Sequence, residues 1–233
     1  MSMYKNLVPL RHTEHAGLRL LPVSNYDFAS ELMLAPIVVD ELAEAAREYP
    51  IVFPRDAALP AVLLGVQRGR NAYVGDNGQW LASYVPAHIR HYPFMLTRLP
   101  GKGDGQDHVV MMDADSPLWS KIEGEPVFDG ESLTPVAQRS VDLLRAMSRR
   151  QVTTRAMVQA IAAAGLFVER TVRVKRPGHP DARVSGLRAV DEKAFNALSD
   201  EAFNALRKSG ALPLVYAHLL SWANFRQGPI GRA

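Results

Sequence analysis

The chain has 233 residues, 47% of them hydrophobic and 22% charged, with 27 basic and 24 acidic residues giving a formal net charge of +3. That length and balance fit one ordinary folded protein with a sizeable core and exclude a charge-rich disordered chain. Acidic residues are interspersed with the basic ones, so no nucleic-acid partner is expected, and the absence of cysteine excludes disulfides, thiolate catalysis and cysteine-ligated metal.

Met1 to Leu21 carries Lys5, Arg11, Glu14 and Arg19 and never assembles the apolar run of a signal peptide, which leads us to expect a cytoplasmic protein. The longest apolar stretches, such as Met157 to Val168, fall short of the ~20 residues that span a bilayer, so the chain is not expected to be an integral membrane protein. Leu18 to Pro22 reads as a short extended segment. Within Asp27 to Arg47, Ala35 to Val38 and Leu42, Ala45 and Ala46 fall at helical spacing, with Pro36 suited to a first turn. That helix should stop at Tyr49-Pro50, and Ile51-Val52-Phe53 follows as a buried strand.

Ala61 to Val66, Ala72 to Val74 and Trp80 to Tyr84 are short apolar runs divided by turn chemistry, which predicts a three-strand antiparallel meander with a tight turn at Asn77-Gly78. Val85 to Phe94 is bracketed by Pro86 and Pro93, which fits one or two helical turns. Strands are predicted at Phe94 to Arg98 and at His108 to Asp113, with a loop at Gly101 to Gly105 between them. Thr134-Pro135 opens a helix whose apolar face is Val136, Val141, Leu144 and Met147, and Thr153 caps a second, alanine-rich helix that ends at Gly165. Val168 to Lys175 and Arg183 to Val190 form a hairpin across Arg176 to Asp181. Helices capped by Asp191 and by Ser199 or Asp200 follow; Gly210 closes the second, and Pro213 opens a last one through Trp222. The fold class read from these elements is α+β, an antiparallel sheet flanked by helices with a mainly helical C-terminal part. We take residues 1–233 as one domain, divisible into a sheet-rich lobe at 1–130 and a helical lobe with a hairpin at 131–233.

Several ordered segments, Tyr49 to Phe53, Trp80 to Phe94, Phe128-Asp129-Gly130 and Tyr216 to Leu219, resemble those of the SapC-like bacterial family, and the resemblance runs through nearly the whole chain. The family takes its name from an operon for surface-layer protein export. It marks Pro50, Trp80, Pro86, Arg90, Tyr92, Pro93 and Phe94 as characteristic positions without giving any of them a chemical role. What the resemblance implies is an accessory protein linked to the export or modification of surface components.

Candidate chemistry concentrates between the two prolines. A helix there projects His88 and His91 to one side at i, i+3 spacing, where imidazoles can share a metal. His12 and His15 repeat the spacing, and the four rings could complete one site if the fold brings the pairs together. Arg90, with Tyr84 and Tyr92 nearby, could clamp a carboxylate or pair with an acidic turn at Asp113 or Asp115. Asp113, Asp115, Asp129 and Glu131 place carboxylates at strand and loop ends. Ser185-Gly186 lacks the partner glycine of a nucleophile elbow, and Gly101 to Gly105 lacks the Gly-Lys-Ser/Thr end of a phosphate loop. Arg139, Arg145, Arg149, Arg150 and Arg155 accompany the two helices after Thr134, but alanines occupy the positions a DNA-reading helix needs. Phe195, Leu198, Phe203, Leu206, Leu212 and Leu219 form an apolar stripe whose default use is core packing, with a residual face able to dock a partner protein or peptide.

The reading is therefore a cytoplasmic accessory or binding protein that recognises its ligand through Trp80, Tyr84, His88, Arg90 and Tyr92, with no cofactor assigned. The alternative is a metal-assisted enzyme in which His88 and His91, with a carboxylate such as Asp113, activate water or oxygen.

Overall fold

The computed structural model describes residues 3–98, 108–176 and 179–232. In chain order it contains β1 (Leu7–Pro9), α1 (His12–His15), β2 (Arg19–Leu20), β3 (Leu34–Pro36), α2 (Leu42–Glu48), β4 (Ile51–Pro54), β5 (Ala61–Leu63) and α3 (Ala87–Arg90). The middle of the chain forms β6 (Phe94–Arg98), β7 (His108–Asp113) and the short strands β8 (Trp119–Ser120), β9 (Glu125–Pro126), β10 (Phe128–Asp129) and β11 (Ser132–Leu133). After them come α4 (Pro135–Ala163), β12 (Phe167–Arg176), β13 (His179–Val190), α5 (Glu192–Asn196), α6 (Asp200–Lys208), α7 (Leu212–Ser221), α8 (Asn224–Gln227) and α9 (Pro229–Arg232). The fold class is α+β, with antiparallel strand pairing and a helical C-terminal part.

A five-stranded sheet in the order β12-β13-β4-β5-β3 carries the larger core. Its centre is the pairing of β13 with β4, Leu187 opposite Pro54 and Arg188 opposite Phe53, so a late hairpin completes a sheet begun in the first quarter of the chain. Ile51, Phe53, Val62 and Leu63 are fully enclosed there, covered by Leu214 and Val215 of α7. A second sheet, β1-β7-β6, packs Phe94 and Met112 against Ala137 and Leu144 of α4 in a smaller core. The strands β8-β2-β9 and the β10-β11 pair border it.

The two cores share α4. It is one continuous helix of 29 residues, about 44 Å long at 1.5 Å per residue, and it is not broken near Thr153 as the sequence reading expects. Its first half buries Ala137 and Leu144 in the smaller core and its second half buries Met157, Val158 and Ile161 in the larger one. No Gly or Pro interrupts it from Val136 onward, and the threonine that matters is Thr154, whose hydroxyl donates to Arg150 O (2.8 Å) within the helix. The same oxygen accepts from Val39 N (3.0 Å), the chain just beyond β3. Thr154 is completely buried. Replacing it by valine keeps the shape but strands the Val39 N–H, and urea unfolding is expected to show a loss of about 1–2 kcal/mol.

Ala35 and Pro36 lie in a strand, not in the helix their spacing predicts. β3 is the outermost strand of its sheet, where a proline costs no ladder hydrogen bond, and it pairs with β5 through Leu34 to Leu63 and Pro36 to Ala61. The meander predicted after β5 is reduced to a single bridge between Val74 and Trp80. Its side chains turn inward instead of alternating: Asn71 donates to Ala29 O (3.0 Å) and Tyr73 to Glu48 O (2.9 Å). The turn itself is present, Gly78 donating back to Gly75 O with φ +76°. Thr134 stands at the N-cap of α4, but its hydroxyl donates to Pro126 O instead of accepting from the helix. Asp191 and Ser199 cap α5 and α6 as predicted. The loop expected at Gly101 to Gly105 lies outside the described residues.

Candidate functional site

α3 is a single turn held by the chain on both sides, and it distributes the candidate residues over two environments. On one side Glu41, almost fully buried, accepts from Tyr84 Oη (2.8 Å), Ala87 N (2.7 Å) and Val38 N (3.0 Å), which pins the start of α3 to the turn before α2. Arg90 is exposed and donates to Tyr84 Oη (3.3 Å), its guanidinium lying 5.4 Å from that ring. It pairs with neither Asp113 nor Asp115. Trp80 donates to Tyr49 Oη (2.8 Å) and packs on Tyr26, and the Tyr49 hydroxyl in turn donates to Tyr84 O. Burial raises both Tyr49 and Tyr84 far above the ordinary phenol value, so the network is neutral at its rings. Trp80, Tyr84 and Arg90 thus meet in one hydrogen-bonded group.

Tyr92 does not join them. It is buried, stacks on Phe28 at 4.2 Å and donates to Asp113 Oδ2 (3.1 Å). Asp113, completely enclosed, also accepts from Lys5 N (3.0 Å), Asn6 N (2.8 Å) and Asp115 N (3.3 Å). A carboxylate that receives four donors is committed to structure, and it is bonded to Tyr92 and the N-terminal segment, not to either histidine.

His88 and His91 stay together, their rings edge to face with centroids 5.3 Å apart, and both line a cleft of about 440 Å³ between α3, the middle of α4, β6 and the chain after β3. Its walls are apolar: Ile37 and Val38 on one side, Met95 and Leu96 on another, Leu144 and Met147 below. Its polar groups are Tyr4, Ser148, Gln151, Arg155 and a third imidazole, His108. His91 Nδ1 lies 2.9 Å from Phe94 O and 3.0 Å from Tyr4 Oη; the carbonyl neighbour sets the proton on Nδ1 and leaves Nε2 an acceptor. Burial pushes His88 down to about 4, and burial together with the neighbouring His88 pushes His91 down to about 3. Both are neutral at pH 7. Arg155, exposed and donating to Gln151 Oε1 (3.3 Å), is the fixed charge of the cleft among the described residues. Among the described residues no group of three or more His, Asp or Glu side chains is gathered closely enough to hold a metal ion. His12 packs on Phe128 and His15 bonds to the Arg11 backbone, so that pair does not complete a site with His88 and His91.

The sequence reading missed Tyr4, His108 and Gln151 as neighbours of His88. Nothing local signals them: Tyr4 and His91 are 87 positions apart, and His108 reaches the cleft through the pairing of β7 with β6.

Fold and cleft together define an α+β protein whose two cores, each built on an antiparallel sheet, are joined by one long helix, with a histidine-lined pocket beside that helix. The chain belongs to the SapC family, whose model matches residues 10–227, nearly its whole length. No curated protein and no solved structure matches it. Among the described residues no helix is long and apolar enough to cross a membrane.

Proposed function

We propose that this protein is a cytoplasmic accessory protein that acts by recognition, holding a compact ligand with an apolar body and one carboxylate in the histidine-lined cleft. The observation that carries this reading is the lining. Apolar walls, the neutral His88 and His91 rings and, in Arg155, a guanidinium with no ion-pair partner among the described residues make a pocket suited to binding and orientation, with Arg155 placed to take a carboxylate in two parallel hydrogen bonds. Such a role agrees with the accessory part in export or modification of surface components that the family name implies.

Thermal melting in the presence of small carboxylates tests it, hexanoate and benzoate against hexanamide and benzamide. The carboxylates are expected to raise the melting temperature and the amides to leave it unchanged, and Arg155→Gln is expected to weaken carboxylate binding about tenfold or more. Stabilisation by amides and carboxylates alike would remove the anion from the reading. A metal-assisted enzyme is supported by one observation, the anchoring of His91 Nδ1–H on a backbone carbonyl, which is how ligating histidines are commonly oriented. Stabilisation by Zn²⁺ alone, lost in His88→Ala/His91→Ala, would favour that alternative over ours.

A further inference from the structure

Among the described residues β12 is the outermost strand at the other end of the main sheet and has β13 on one side only. Alternate backbone N–H and C=O groups of such an edge point outward without a ladder partner. A groove of about 880 Å³ runs along this edge, between Arg170 to Val174 and the end of α7 with α8. Its apolar surface comes from Leu220, Trp222 and Phe225, and Leu220 is 73% exposed, unusual for a leucine on a packed helix. Three exposed arginines, Arg170, Arg173 and Arg226, rim it, and none has a hydrogen-bond or ion-pair partner among the described residues. Arg173 stands directly opposite Arg183 in the β12–β13 register, a like-charge pair that disfavours the sheet. The acid of this strand, Glu169, is already engaged by Arg55 at 2.6 Å.

We propose that this groove docks an extended acidic segment of a partner protein. Its backbone would extend the sheet along β12, its aliphatic side chains would cover Leu220 and Trp222, and its carboxylates would neutralise the arginine rim. A second copy is a poor occupant, because pairing two β12 edges sets Arg170 and Arg173 against themselves. The bulge between Arg170 and Val172 further breaks the flat edge that self-pairing needs. An acyl chain is also poor, because it leaves the edge N–H and C=O groups unpaired. This surface is separate from the histidine-lined cleft, so the proposal stands independently of the function proposed for that cleft.

The test uses the full chain, a fluorescein-labelled decapeptide of alternating Val and Glu, and its Val–Lys counterpart. The acidic peptide is expected to bind, to change the fluorescence of Trp222 (a signal removed in Trp222→Phe), and to weaken as salt rises. Arg173→Glu/Arg226→Glu, at exposed positions and with an unchanged far-UV spectrum, is expected to lose about tenfold or more of that affinity and to gain affinity for the lysine peptide. Absent binding of the acidic peptide, equal binding of both peptides, or an undiminished affinity in the reversed variant would overturn the proposal. So would a charge-dependent dimer seen by sedimentation without peptide binding, or charge-dependent co-sedimentation with phosphatidylglycerol vesicles without peptide binding; these would assign the groove to self-association or to a lipid surface.

Discussion

Lowering the pH from 7 to 5 is expected to remove about 5–6 kcal/mol of folding stability, and the loss will trace to three buried neutral histidines, His88, His91 and His218. His218 is completely enclosed on α7, its Nδ1–H donating to Ile51 O (2.8 Å) and its Nε2 accepting from Val190 N (3.1 Å), so one ring bonds to β4 and β13 at once. Both nitrogens are committed in the neutral form, and burial holds the group down to about 4. Burial likewise holds His88 down to about 4 and, with the neighbouring His88, His91 down to about 3, the latter with its Nδ1 bonded to Phe94 O. In the unfolded chain each titrates near 6.5, so between 6.5 and about 4 the unfolded state binds protons that the native state refuses. Stability is therefore fully present above pH 6.5 and lost as pH falls toward the native values, by roughly 2 kcal/mol per ring at pH 5. Urea unfolding at the two pH values measures it. His218→Gln should lower stability at pH 7 and flatten the slope by about one proton. A stability that is level from pH 7 to 5, or a slope untouched by the variant, would show that these rings are not held neutral.

Asp113→Ala is expected to cost about 3 kcal/mol or more. The carboxylate receives the Lys5 and Asn6 N–H groups, the Tyr92 hydroxyl and the Asp115 N–H, while the Asp113 carbonyl takes Trp119 Nε1 (2.7 Å). Truncation strands the side-chain set in a place with no room for bulk water, and unsatisfied buried donors cost about 1–3 kcal/mol each before relaxation. Asp113→Asn retains one acceptor oxygen and turns an amide N–H toward a donor, so its cost should be about half. Chemical unfolding gives the magnitude, and hydrogen exchange at the Lys5 and Asn6 amides locates it: both should exchange faster in either variant. A loss under 1 kcal/mol for the alanine variant would mean that the N-terminal segment is held by its apolar contacts instead.

What could be read in the chain was its punctuation. Asp191, Ser199, Gly210, Pro135 and the Asn77-Gly78 turn act on backbone groups two to four residues away, so their effect is written next to them. The His88/His91 pair was visible for the same reason, since i, i+3 spacing on one helical turn is a local fact. Errors fell where local propensity was balanced and a distant partner decided. Ala35 and Pro36 have helical spacing, but β5 offers them a sheet edge and two buried neighbours. Thr153 looked like the cap of a second helix, yet it lies inside α4, whose next residue, Thr154, takes the N–H of Val39, 115 positions away.

Composition and local pattern thus determined an α+β chain without disulfides, with β4, β6, β7, β12 and α5 to α7 close to where they stand and a candidate pair of imidazoles on a short helix. Only the tertiary structure decided that Tyr92 serves Asp113, that Arg90 pairs with Tyr84, and that Tyr4, His108 and Arg155 share a cleft with His88 and His91. The physical reason is range. A cap or turn is settled by hydrogen bonds within four residues, whereas a cleft is settled by which sheets and helices bury one another, a free energy spread over the whole core and carried by no single segment.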